Sequence, residues 1–156
     1  MMMQELFEQA PGEPVTIDGV LYLPWVELIP NRQADVTVCF NSFKAAPDQG
    51  ITVGIRAGEV RTGQYPWHQG LAFWASTFPG IAKVSQSSLE TPLLVRNCWR
   101  YRGGVEKGVG HAAICPERIE DGVRLRCSDG EDALTLGDIV VSITWPGGAY
   151  RVKHLD

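Results

Sequence analysis

Apolar and polar residues alternate at a period of two through much of this chain, the spacing that sends successive side chains to opposite faces of a β-strand. Val36, Val38 and Phe40 share a face within 35–43, and Ile51, Val53 and Ile55 do so within 51–56. Leu93, Val95, Asn97, Trp99 and Tyr101 fall on one side of 93–102, with Arg96, Cys98, Arg100 and Arg102 on the other. By the same rule Val123, Leu125 and Cys127 point inward, leaving Arg124 and Arg126 outward. The segment 71–78 is apolar on both faces, as a central strand would be. Turn signals punctuate these runs: Asp18-Gly19 between 15–17 and 20–23, Asp121-Gly122 after 109–115, and Pro146-Gly147-Gly148 between 139–145 and 149–154.

Seventeen glycines and ten prolines in 156 residues interrupt the chain too often for helices of ordinary length. The pattern predicts one all-β domain over residues 1–156, an antiparallel sandwich or barrel of roughly nine to eleven short strands with little helix. Residues 1–12 form a short helical or flexible lead-in. No fixed-period repeat, low-complexity tract or linker divides the chain.

Apolar residues at 44% and charged residues at 21% exclude a disordered chain and a coiled coil. A net charge of −4 argues against a nucleic-acid partner. Residues 1–8 lack the positive and apolar regions of a secretory signal, and no run approaches the roughly 18 apolar residues of a membrane span. The expectation is a cytoplasmic chain with no membrane contact. Its four cysteines, Cys39, Cys98, Cys115 and Cys127, contain no CxxC pair and are expected to be reduced, mostly buried thiols.

Most chemical motifs fail on spacing. HExxH and GxSxG are absent. The glycine-rich 103–110 lacks the Lys-Ser/Thr of a phosphate loop and reads as a connection between strands. Ser128-Asp129-Gly130-Glu131-Asp132 breaks calcium-loop spacing at Ala133 and reads as a capping box, Ser128 to Glu131, opening a short turn. Cys98, His111, Cys115 and Cys127 are soft ligands, but His111 and Cys115 on one extended strand stand roughly 13 Å apart, too far to share a zinc ion. Neither metal nor cofactor is expected.

Two places retain candidate binding chemistry. Tyr65, Trp67, His68 and Gln69 gather two aromatics, an imidazole and an amide in a turn-rich stretch, where rings can stack on a sugar or another planar ligand. Arg96, Arg100 and Arg124 face outward on two inferred strands and would form an anion-binding stripe if those strands were neighbours. The leading functional expectation is a non-enzymatic module binding a small ligand such as a carbohydrate. A protein-interaction or accessory module using a sheet face or edge is the first alternative. A small enzyme with His68 as acid or base is the second, lacking any evident orienting partner or charge stabiliser.

Overall fold

Period-two segments bury one face each, and two such sheets placed face to face satisfy one another. A computed structural model describes residues 1–77, 80–101, 103–131 and 133–155. Among them, fourteen strands follow one short helix, α1 (Met3–Gln9). The first sheet has the order β14 (Tyr150–Val152), β3 (Val26–Pro30), β9 (Leu93–Tyr101), β5 (Asp48–Ile55) and β7 (Gly70–Trp74), and β10 (Gly104–Glu106) lies beside β9. The second runs β11 (Ala113–Ile119), β12 (Gly122–Ser128), β13 (Ile139–Thr144), β4 (Val36–Phe43), β8 (Ile81–Gln86) and β6 (Val60–Thr62). All pairings are antiparallel, and the architecture is a sandwich. No helix among the described residues is long and apolar enough to cross a membrane.

The inner faces carry the residues that alternation assigned to them. Val36, Val38, Ile51, Val53, Val95, Val123 and Leu125 have no exposed surface. Each such side chain contributes roughly 1.5–3 kcal/mol relative to leaving it in water. A smaller cluster forms where Met3 and Phe7, one helical turn apart on α1, pack with Tyr22 and Ala113. Tyr22 belongs to the hairpin of β1 (Val15–Ile17) and β2 (Val20–Tyr22). Asp18 and Gly19 both take positive φ in its turn, matching the twist of the strands they join.

Several sequence expectations change. The sequence does not single out β3, β6, β8 or β10, of which β6 and β10 are only three residues long. The segment 71–78 gives an edge strand, β7, rather than a central one; of the apolar residues within β7 only Phe73 is buried. Phe78, Arg102 and Asp132 lie outside the described residues. The Asp121-Gly122 turn moves back one position: Ile119 pairs with Gly122, leaving Glu120 and Asp121 in the loop with Asp121 left-handed. Gly122 is required by close approach, since a Cβ there would strike the Ile143 carbonyl. Pro146-Gly147-Gly148 carries the chain from one sheet to the other, so β13 and β14 are not a hairpin. Residue 113, not 109, opens β11, and its Pro116 is tolerated because β11 is an edge.

The predicted capping box is also replaced. Ser128 ends β12, and it is Asp129 that accepts the Glu131 N–H, at 3.1 Å. Asp129 is fully buried, with Lys44 Nζ 2.5 Å and Gln49 Nε2 2.9 Å from its Oδ2. Its own N–H donates to Asp138 at 2.9 Å. Asn97 Nδ2 donates to the Ser128 carbonyl at 3.0 Å, so β5 and β9 are tied to the end of β12 across the sandwich. Burial opposes ionisation of Asp129, but Lys44, the Glu131 N–H and Gln49 hold its pKa below the usual value. Burial raises Asp138 despite the Asp129 N–H, and the Asp129 charge adds to the rise. Of the four free thiols, Cys98 and Cys127 are buried, and Cys39 and Cys115 are half-buried.

Lys44→Met should therefore destabilise the fold by about 3 kcal/mol, because it leaves two buried carboxylates without a counter-charge. Their shared pKa would then rise above the roughly 3.9 of an unfolded Asp, so the folded variant would bind protons that its unfolded chain does not. The deficit relative to the parent should shrink between about pH 7 and about pH 5 in urea titrations. A deficit constant across that interval contradicts this account.

Candidate functional site

The β5–β9 ladder pairs Asp48 with Arg100 through Ile55 with Leu93 and so fixes what the outer face of the first sheet displays. Leu94, Arg96, Cys98 and Arg100 project outward from β9, and Asp48, Gly50, Thr52 and Gly54 from β5. Pairing of Gly50 with Trp74 and Gly54 with Gly70 sets Gly70, Ala72 and Trp74 on the same face. Val26 pairs with Val95, so Trp25 falls beside Arg96. Glu106 pairs with Trp99, which brings Lys107 beside Cys98.

A cleft of about 500 Å³ opens on this face. Thr52, Gly54, Ala72 and Leu94 line it, and Trp25, Arg56, Arg96 and Lys107 complete its walls. Two smaller cavities, about 290 and about 330 Å³, adjoin Trp25, the first between it and α1. Arg96 belongs to the main cleft and the first of these.

Arg96 is half-buried, with its guanidinium carbon 5.6 Å from the centre of the Trp25 ring. On another side it lies against Gly108, whose φ of +66° and missing Cβ leave space that a side chain would occupy. Its Nε is buried without a hydrogen-bond partner. Burial lowers its pKa, yet a guanidinium stays charged. Among the described residues neither Arg96 nor Lys107 has an ion-pair partner. Arg56 stands 3.9 Å from Glu27, which also holds Lys153 at 3.1 Å.

The neighbouring outward groups are committed to structure. Arg100 Nε donates to Asp48 at 2.8 Å while its guanidinium lies 4.2 Å above Trp74. Burial opposes ionisation of Asp48, but the Ser76 hydroxyl and Arg100 lower its pKa. Cys98 lies fully buried, and burial raises its pKa to about 11 against the opposing pull of Lys107 and Arg100, so its thiol is neutral and a poor nucleophile.

The expected arginine stripe does not form. Arg96 and Arg100 are on β9 of the first sheet, and Arg124 is on β12 of the second. Arg124 and Arg126 both face Glu117, at 3.9 and 3.3 Å. Alternation within a strand was readable, but which strands are neighbours was not.

The 65–69 stretch joins β6 to β7 and so passes from one sheet to the other. Tyr65 and His68 are exposed, and Trp67 is half-buried beneath Arg61, whose guanidinium carbon is 4.4 Å from the ring centre. His68 exchanges two backbone hydrogen bonds with Val60, at 2.7 and 2.9 Å. The Gln69 carbonyl accepts from Ile55, anchoring the stretch beside the Gly54–Gly70 end of the cleft. Tyr65, Trp67, His68 and Gln69 do not line the cleft. The sequence reading missed Trp25, Arg56, Thr52, Ala72 and Lys107. Trp25 and Lys107 become visible only once β3 and β10 are placed against β9. No protein-family model, curated protein or solved structure matches the chain.

Trp74 lies over Gly50, where an added Cβ would meet ring carbon Cε3 at 2.7 Å and the Phe73 carbonyl at 2.9 Å. Gly50→Ala should consequently cost about 1–3 kcal/mol, read by chemical denaturation, and should shift Trp74 fluorescence as the ring lifts away from Arg100. An unchanged midpoint and spectrum would show that β7 yields without cost.

Proposed function

We propose that this chain is a non-enzymatic binding module for a small organic ligand, a sugar or another ring compound, held in the outer-face cleft of the first sheet. The observation that carries this reading is the coincidence of one indole, an apolar floor and cationic side chains in a single cleft. Its volume of about 500 Å³ suits a small ligand, since such sites typically span roughly 300–1,000 Å³. The floor is built on paired strands, so its shape is set before any ligand arrives. The enzymatic alternative finds less support, because among the described residues no side chain hydrogen-bonds the His68 imidazole.

Ligands found in a thermal-shift screen of sugars, sugar acids, nucleosides and aromatic acids should perturb the amide resonances of Thr52, Ala72 and Leu94. Ala72 is exposed on an edge strand, so Ala72→Trp should fill the cleft without lowering the melting temperature. It should weaken binding by at least about tenfold, the loss of roughly 1.4 kcal/mol, whereas Trp67→Ala should leave affinity unchanged. Binding that survives Ala72→Trp and disappears with Trp67→Ala moves the site to 65–69.

A further inference from the structure

We infer that the cleft selects an anion, a ring compound bearing a phosphate or carboxylate group that Arg96 and Lys107 receive together. This rests on the cleft being a ligand site and adds the charge and orientation of its occupant.

The first support is the contrast among the cations around the cleft. Arg100 beside it has Asp48, and Arg56 on its wall shares Glu27 with Lys153. Arg96 and Lys107 both line the cleft and have no carboxylate partner among the described residues. Half-burying the Arg96 guanidinium removes hydration that a counter-charge would replace. Arg96 is nonetheless held in place, between the Trp25 ring and Gly108. An oxyanion would relieve that cost through charge-assisted hydrogen bonds, for which the planar guanidinium is well shaped.

The second support is the scarcity of neutral polar side chains. Among the residues lining the cleft, Thr52 alone has a neutral polar side chain, and its hydroxyl already donates to the Arg96 carbonyl at 3.3 Å. The other polar side chains there, Trp25, Arg56, Arg96 and Lys107, only donate, so the hydroxyl hydrogens of an uncharged polyol would find few side-chain acceptors, whereas an oxyanion accepts only and fits the wall better. Glu27 adds direction. It pairs beside Leu94 and engages Arg56 at that end of the cleft, which leaves the Arg96–Lys107 end as the receptor. Two uncompensated cations also favour a doubly charged group over a singly charged one.

The test compares phenyl phosphate, benzoate and benzyl alcohol, and in parallel glucose 6-phosphate, glucuronate and glucose, by titration calorimetry with amide shifts locating each ligand. Within a series the anions should bind at least about tenfold tighter than the neutral compound, as one added charged hydrogen bond implies. Phosphate should exceed carboxylate, and the series that binds tighter identifies the ring. Raising salt from about 50 to about 500 mM should weaken the anions severalfold and leave the neutral compounds unchanged. Arg96→Gln should erase the preference for anions. Lys107 is exposed, so Lys107→Gln should fold normally and still reduce that preference even if Arg96→Gln disturbs packing on Trp25. Neutral compounds binding the cleft as tightly as anions would overturn the inference while leaving the cleft a ligand site. Anion binding that both variants retain would also overturn it. Failure of every compound to perturb β5, β7 or β9 would remove both the inference and the site it rests on.

Discussion

The register between β5 and β9 is the constraint on which the molecule depends. Eight residues of one strand face eight of the other, from Asp48 with Arg100 to Ile55 with Leu93. Because side chains alternate strictly, a slip of one position would drive Arg96 and Arg100 into the interior and bring Val95, Asn97 and Trp99 out to water. The interior therefore enforces the exterior: burial of Val53, Val95 and Trp99 leaves Arg96, Thr52 and Gly54 a single arrangement on the outer face. The positions of β3, β10 and β7 follow, since each pairs with β9 or β5. Cleft and core are two faces of one ladder.

Charge is handled in two distinct ways. At one end of the sandwich the Lys44–Asp129–Asp138 group is tied by Gln49 and Asn97 into hydrogen bonds that span both sheets. Such a buried ionic group is poor evidence of net stability, because desolvation offsets much of the attraction. What it supplies is a geometric condition, as these donors and acceptors meet only when the sheets are aligned. On the surfaces, Arg61, Arg96 and Arg100 each lie against a tryptophan, which orders a long side chain at modest energetic gain. Arg100 is further fixed by a carboxylate and Arg96 is not.

Architecture was legible in the sequence because burial on one face writes a period of two into it. The assignments hold over residues 93–100 of β9 and through β12, where Val123, Leu125 and Cys127 lie inside and Arg124 and Arg126 outside. The site was less legible, for three reasons. Trp25 precedes a five-residue strand bracketed by Pro24 and Pro30, too short to announce its alternation. The 71–78 run looked central because both of its faces are apolar, whereas its outward Ala72 contributes to the cleft and its outward Trp74 packs over Gly50. A surface shaped for other contacts breaks the half-polar rule of an edge strand. Finally, the arginines of β9 and β12 share a pattern but belong to opposite sheets, and adjacency of strands is a property of chain topology that local spacing does not encode.

The passage of the chain from β13 to β14 through Pro146-Gly147-Gly148 has a consequence for biosynthesis. Leu28 of β3 is completed by Val152 of β14, and Val38 of β4 by Ile143 of β13. At about 5–20 residues per second, strands made early wait on the order of ten seconds on the ribosome before these partners emerge. During that interval β3 and β4 offer bare backbone edges and apolar faces, the surfaces on which nascent chains pair wrongly with one another. Folding of this domain thus waits on synthesis of β13 and β14, and its early strands are natural clients for whatever shields nascent chains in the cell.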